Sequence, residues 1–128
     1  ILVTGGGSIG NPYIVSEDKP LYTKDADLLW VKRNDGIDTY FLYTFFFTPA
    51  FRDYLLSIAH VGTIAHYTIE QLKKTPIMLP ELSEQISIGA FFKDLDTTIK
   101  LQQLELKKYE NIKQGMMEDL LTGKVRLV

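Results

Sequence analysis

The chain has 128 residues, and with 45% of them hydrophobic it can build one compact domain plus an extended helical arm. It has no cysteine, which excludes a disulfide framework and thiol chemistry and fits a reducing cytoplasm, and no apolar run is long enough to span a membrane. The net charge of −2 is evenly spread: residues 1–80 carry seven Lys/Arg against eight Asp/Glu, and residues 81–128 repeat those counts. A nucleic-acid role would therefore have to place positive charge locally or borrow it from partner subunits. The opening ILVTG has neither Met nor a signal pattern, so the chain is expected to be a piece of a longer protein.

Ile1 to Thr4 is a short apolar run that predicts a strand. Gly5-Gly6-Gly7-Ser8-Ile9-Gly10 then fits GxGxxG and resembles the dinucleotide-binding turn of the short-chain dehydrogenases. That chemistry needs a helix opening at the third glycine, so that its N–H groups face a pyrophosphate. Pro12 and Pro20 leave no room for a three-turn helix, Tyr13-Ile14-Val15 favours a strand, and no second βαβ unit follows. The glycines instead predict a hairpin turn that uses positive-φ positions. Asp25 to Lys32 reads as another strand, ending at the turn Arg33-Asn34-Asp35-Gly36, with Trp30 in the core or on a sheet face. The spacing of Asp25, Asp27, Asp35 and Asp38 matches no calcium loop, and no metal site is expected.

Ile37 to Phe47 predicts a buried helix with Asp38 as its cap, its aromatics forming core and no stacking platform. Thr48 and Pro49 open the next helix, as N-cap and first-turn residue. It runs through Phe51, Tyr54, Leu55 and Ile58 and is expected to stop near Gly62. Gly62 to Tyr67 is a loop, and spacing supplies His66 with no catalytic partner, so it reads as a solvent-facing or ligand-facing residue. Thr68 with Gln71 forms a capping box, and Pro76 to Pro80 predicts a short final strand.

From Leu79 to Lys124 there is a helical region, one long helix or two in tandem, which Gly123 closes. Phe92, Leu95, Ile99, Gln102, Leu106, Tyr109, Lys113, Met116 and Leu120 follow alternating steps of three and four. That period keeps a narrow stripe facing a partner helix, the coiled-coil seam. Leu101, Leu104 and Ile112 widen the stripe, while Gln102 and Lys113 interrupt it, as polar seam residues that fix register do. From Asp96 to Leu121 such a helix spans roughly 39 Å at about 1.5 Å per residue. One turn of B-DNA is about 34–36 Å.

The text GTIAHYTIEQLKKTPIMLPELSEQ, the long helix and the closing LLTGKVR together resemble the C-terminal half of the specificity subunit of type I restriction–modification enzymes. The positions that carry the likeness are Gly62, Thr63, Leu79, Pro80, Leu82, Glu84, Gln85, Leu120, Thr122, Gly123 and Lys124. The early TGGGSIGNPYIV adds a likeness to that family's glycine hairpin through Gly7, Ser8, Ile9 and Gly10.

The resemblance implies an α+β fold: a small mixed target recognition domain over residues 1–80, then a coiled-coil-type helical arm over 81–128 that acts as spacer and pairing element. It implies a non-catalytic subunit without cofactor that reads one half of a bipartite double-stranded DNA target. The arm would pair antiparallel with the other half of the subunit or with a second copy, through Phe92, Leu95, Ile99, Leu106, Tyr109, Met116 and Leu120. It would also dock the methyltransferase subunits, which methylate adenine, and through them the restriction subunits. DNA contacts are expected from loop and surface residues able to reach phosphates and base edges: Ser8, Asn11, Lys24, Arg33, Thr63, His66, Lys73 and Lys74. With the chain slightly acidic, much of the salt-dependent affinity is expected from the methyltransferase subunits. The competing reading is a coiled-coil protein-interaction module with no DNA role.

Overall fold

The computed structural model describes residues 1–15, 20–23, 27–58 and 66–128. The chain divides into two compact units, Ile1–Phe92 and Lys93–Val128.

The first unit is built on a three-stranded antiparallel sheet of β1 (Leu2–Thr4), β2 (Pro12–Tyr13) and β3 (Leu28–Trp30), in the order β2-β1-β3. Opposed residues on neighbouring strands share a sheet face. Val3 lies opposite Leu29, and both are buried in the core. Leu2 lies between Tyr13 and Trp30 on the other face, where Trp30 is 63% exposed. Trp30 is therefore a sheet-face residue and no part of the core.

The glycine stretch is the hairpin turn between β1 and β2. The Gly10 amide donates to the Thr4 carbonyl (2.7 Å) and the Thr4 amide to the Asn11 carbonyl (3.0 Å). Gly7 and Gly10 have φ of 64° and 77°, values that favour glycine. A strand follows the glycines where a dinucleotide site needs a helix, so the dehydrogenase likeness ends there.

Two helices cover the inner sheet face. Asp38 caps α1 (Thr39–Phe45), its carboxylate accepting from the amides of Tyr40 (3.0 Å) and Phe41 (2.8 Å). The expected burial of α1 is corrected: none of its residues is fully buried. A two-turn helix that is apolar all round has one side on the core, here Leu42 and Phe45, and leaves the other half-exposed. In α2 (Pro49–Ile58), the Thr48 hydroxyl accepts from the Phe51 amide, and Phe51 and Leu55 are buried. The Phe51 ring stands 4.9 Å from Phe46, 5.8 Å from Phe45 and 5.9 Å from Tyr67, centroid to centroid. These edge-on and tilted pairs place Phe46 in the core with Phe45 against it, while Tyr40, Phe41 and Tyr43 are half-buried and Phe47 is exposed, so the expectation that the aromatics of this segment are core holds only in part. The expected stop near Gly62 lies outside the described residues.

The capping box forms as predicted at the start of α3 (Ile69–Lys73), with the Thr68 hydroxyl accepting from the Gln71 amide and the Gln71 side chain returning to the Thr68 amide. Pro76 to Pro80 makes no strand. Prolines at both ends remove ladder donors, no sheet edge among the described residues meets the segment, and Met78 projects into solvent. The helical region is one helix, α4 (Leu82–Leu121), of 40 residues, with Gln85 and Gly89 as its buried residues. It ends at Gly123, whose φ of 74° turns the chain so that the Val125 amide caps the Asp119 carbonyl (3.0 Å).

The turn is also a packing contact. A Cβ on Gly10 would fall 2.3 Å from Leu55 Cδ1 and 2.9 Å from Phe51 Cε1. Gly10→Ala is expected to cost about 2 kcal/mol or more, from the left-handed backbone and from overpacking. A lower urea midpoint at unchanged slope in equilibrium unfolding checks this.

Candidate nucleic-acid interface

Gly5 gathers one end of the sheet. Its amide donates to the Asp27 carbonyl (2.6 Å) and its carbonyl accepts from the Tyr67 amide (2.7 Å). A Cβ there would lie 2.7 Å from the Tyr67 carbonyl oxygen, so only glycine allows the approach. Ser8 and Asn11 are exposed on the turn that Gly5 opens, and exposed His66 immediately precedes the Tyr67 that Gly5 holds. Behind His66, buried Tyr67 shares a hydroxyl–hydroxyl hydrogen bond with Thr75, and the Tyr54 hydroxyl donates to the Gln71 carbonyl (2.8 Å). Those bonds hold α3, with Lys73 and Lys74 exposed at its end.

The predicted residues do not form one cluster. Ser8, Asn11 and His66 lie at the Thr4 end of β1. Arg33 follows β3 at the opposite end, because Trp30 pairs with Leu2 and Leu28 with Thr4. Lys73 is in an exposed ion pair with Glu70 (3.1 Å), which balances its charge locally. Lys24 and Thr63 lie outside the described residues.

Asn11 proves to be a structural tie in the turn. Its Nδ2 donates to the Ser8 carbonyl (3.1 Å), and its Oδ1 accepts from Arg52 Nη2 (3.1 Å). Arg52 also reaches the Ile9 carbonyl (3.5 Å), so it fastens the turn to α2. Sequence reasoning missed Arg52: it is the one cation of α2, but no spacing names a partner 41 residues away.

A cleft of about 640 Å³ opens on the outer sheet face next to the turn, between Leu2, Tyr13, Leu28 and the Leu21–Thr23 segment. Among the described residues, no group of His, Asp or Glu could hold a metal ion, and no helix is long and apolar enough to cross a membrane.

The second unit offers a different surface. Leu95, Ile99, Leu106, Tyr109 and Met116 are exposed and Leu120 is half-buried, while Phe92 is exposed at the end of the first unit. Tyr109, Ile112, Met116, Met117, Leu120 and Leu121 border a shallow apolar groove.

Residues 1–113 match the type I restriction modification DNA specificity domain. The chain belongs to that family. It is similar to the type I restriction enzyme MjaVIII specificity subunit of Methanocaldococcus jannaschii, at 27% identity over 95% of this chain. The chain spans only 29% of that subunit's length. No solved structure matches it. In this specificity domain the matched region takes in the glycine hairpin, the aromatic core, α3 and most of α4.

Burial raises the Tyr67 phenol above the ordinary tyrosine value of 10.0, opposed by the bond to Thr75 and reinforced by neighbouring Tyr54. The fold therefore holds this phenol neutral. Below about pH 10 both folded and unfolded chains keep the proton, and the contribution to stability is fully present. As the pH rises further the unfolded chain ionises first, and that contribution is lost. Tyr67→Phe is expected to cost about 1 kcal/mol at neutral pH, one hydrogen bond, and to flatten the loss of stability above pH 10. Urea unfolding at pH 7 and pH 10.5 tests both parts.

Proposed function

We propose that this chain is the DNA-reading half of a specificity subunit. Residues 1–80 would recognise one half of a bipartite duplex target, and residues 81–128 would be the helical spacer and pairing arm. The observation that carries this reading is the family match across residues 1–113, which takes the small domain and most of α4 as one piece. The subunit itself is non-catalytic in this reading. Cytoplasmic methyltransferase subunits dock on the helical arm, and restriction subunits join through them.

The proposed DNA contacts are Ser8 and His66 at the Thr4 end of the sheet and, to phosphates, Arg33 at its other end with Lys73 and Lys74; Lys24 and Thr63 stay candidates from the sequence alone. Asn11 contributes by holding the turn's shape, since both ends of its amide are engaged. Loop side chains over a fastened scaffold suit base and phosphate contact. From Lys93 to Leu121 the helix covers roughly 43 Å at about 1.5 Å per residue. That reach slightly exceeds a DNA turn of about 34–36 Å, the separation that places two readers on one face of the duplex.

The balanced charge favours a second reading, a coiled-coil interaction module without a DNA role. Long-read mapping of methylated adenine separates the two, in cells expressing the full subunit with its methyltransferase partner. Exchanging residues 1–80 for those of a homologue is expected to change one half of a two-part motif. An unchanged motif gives the domain to the second reading. Leu106→Asp is expected to weaken subunit assembly about 100-fold or more, since an unpaired carboxylate buried in a seam costs roughly 3 kcal/mol. Size-exclusion chromatography and circular dichroism should show lost assembly with an intact small domain; undiminished assembly would remove the seam from the interface.

A further inference from the structure

The buried residues of α4 are Gln85 and Gly89, one turn apart on the same face. Gln85 is 2% exposed, the one polar or charged residue that is buried among the described residues. Its amide is fully used. Oε1 accepts from the Asp38 amide (3.1 Å), while Nε2 donates to the Pro80 carbonyl (2.9 Å) and reaches the Gly36 carbonyl (3.5 Å). Asp38 is the residue that caps α1, and its carboxylate stands over Gly89, where a Cβ would fall 2.4 Å from Oδ1 and 3.0 Å from the Phe41 amide. One side chain thus ties the turn before α1, the cap of α1 and the segment entering α4 to the start of the long helix.

An apolar side chain of the same size would fill this space without burying an amide. The hydrogen bonds return only about 1 kcal/mol each against that desolvation. What they add is uniqueness. A slip of one residue would move the helix about 1.5 Å along its axis and turn it by about 100°, and none of the bonds could then form. Buried polar residues fix register in this way in paired helices. The close approach at Gly89 acts with Gln85, since any tilt toward α1 meets Asp38.

We propose that Gln85 is a positioning residue that, with Gly89, fixes the rotation and height at which α4 leaves the DNA-reading domain. It would thereby set the spacing the enzyme accepts between the two halves of its target. This rests on the DNA-reading role proposed above. Gln85 itself touches no base; it acts through the helix.

The test uses the full specificity subunit assembled with its methyltransferase subunits and reads methylated adenine genome-wide. Gln85→Met keeps the volume and removes the three bonds. Gly89→Ala keeps Gln85 and pushes on Asp38. The expected result for both is an unchanged half-site sequence, with methylation at targets one base pair longer or shorter in spacer raised at least tenfold. A single unchanged spacer in both variants overturns the proposal. Loss of half-site preference or of all methylation in both also overturns it, because Gln85 would then hold the fold and not the spacing. The domain exchange serves as the parallel control: if it leaves the motif unchanged, the DNA-reading role fails, whatever the Gln85 variants do.

Discussion

The first unit depends on the space around one ring. Phe51 meets Phe45, Phe46 and Tyr67 edge-on or tilted, and it lies where a side chain on Gly10 would have to go. A hairpin turn, two helices and the segment entering α3 therefore converge on a single buried group. Among the described residues few other large side chains are fully buried, so little else there can hold a sheet whose strands are two and three residues long. Polar ties lie outside this contact and finish it. Arg52 fastens the turn from one side, and Gly5 stitches β1 to Asp27 and Tyr67 on the other.

Local chemistry made much of this readable in the sequence. Asp38, the Thr48-Pro49 pair and the Thr68/Gln71 box are caps whose partners lie within three residues, and each forms. The glycine turn was readable because Pro12 forbids the helix that a nucleotide site requires. Readings failed where the answer lay far along the chain. Pro76 to Pro80 has the composition of a strand but meets no free edge, which only the assembled sheet decides. For Trp30 the sequence left core and sheet face open, and its register with Leu2 decides for the outer face. Arg52 and Gln85 engage partners 41 and 47 residues away, and no short-range pattern encodes such pairs. At the candidate DNA face, spacing could select polar loop residues but could not show that the Asn11 amide is already occupied, or that Arg33 lies at the other end of the sheet from Ser8.

The two ends of α4 follow different physics. At its start, burial is slight in area and exact in geometry, carried by one amide and one missing Cβ. Along Lys93 to Leu121 the helix displays apolar side chains over many turns without cover within the unit. Helices in water owe most of their stability to tertiary packing of one face. The 3-4 repeat supplies such a face, and the widening by Leu101, Leu104 and Ile112 makes it broader than a two-helix seam needs.

That open stripe bears on supply inside a cell. A copy made without a partner shows quality-control proteases and chaperones the surface that marks an unfinished protein. On the pairing proposed above, orphan copies would be removed and paired ones shielded, so the standing amount of subunit would follow the amount of partner and not its own rate of synthesis.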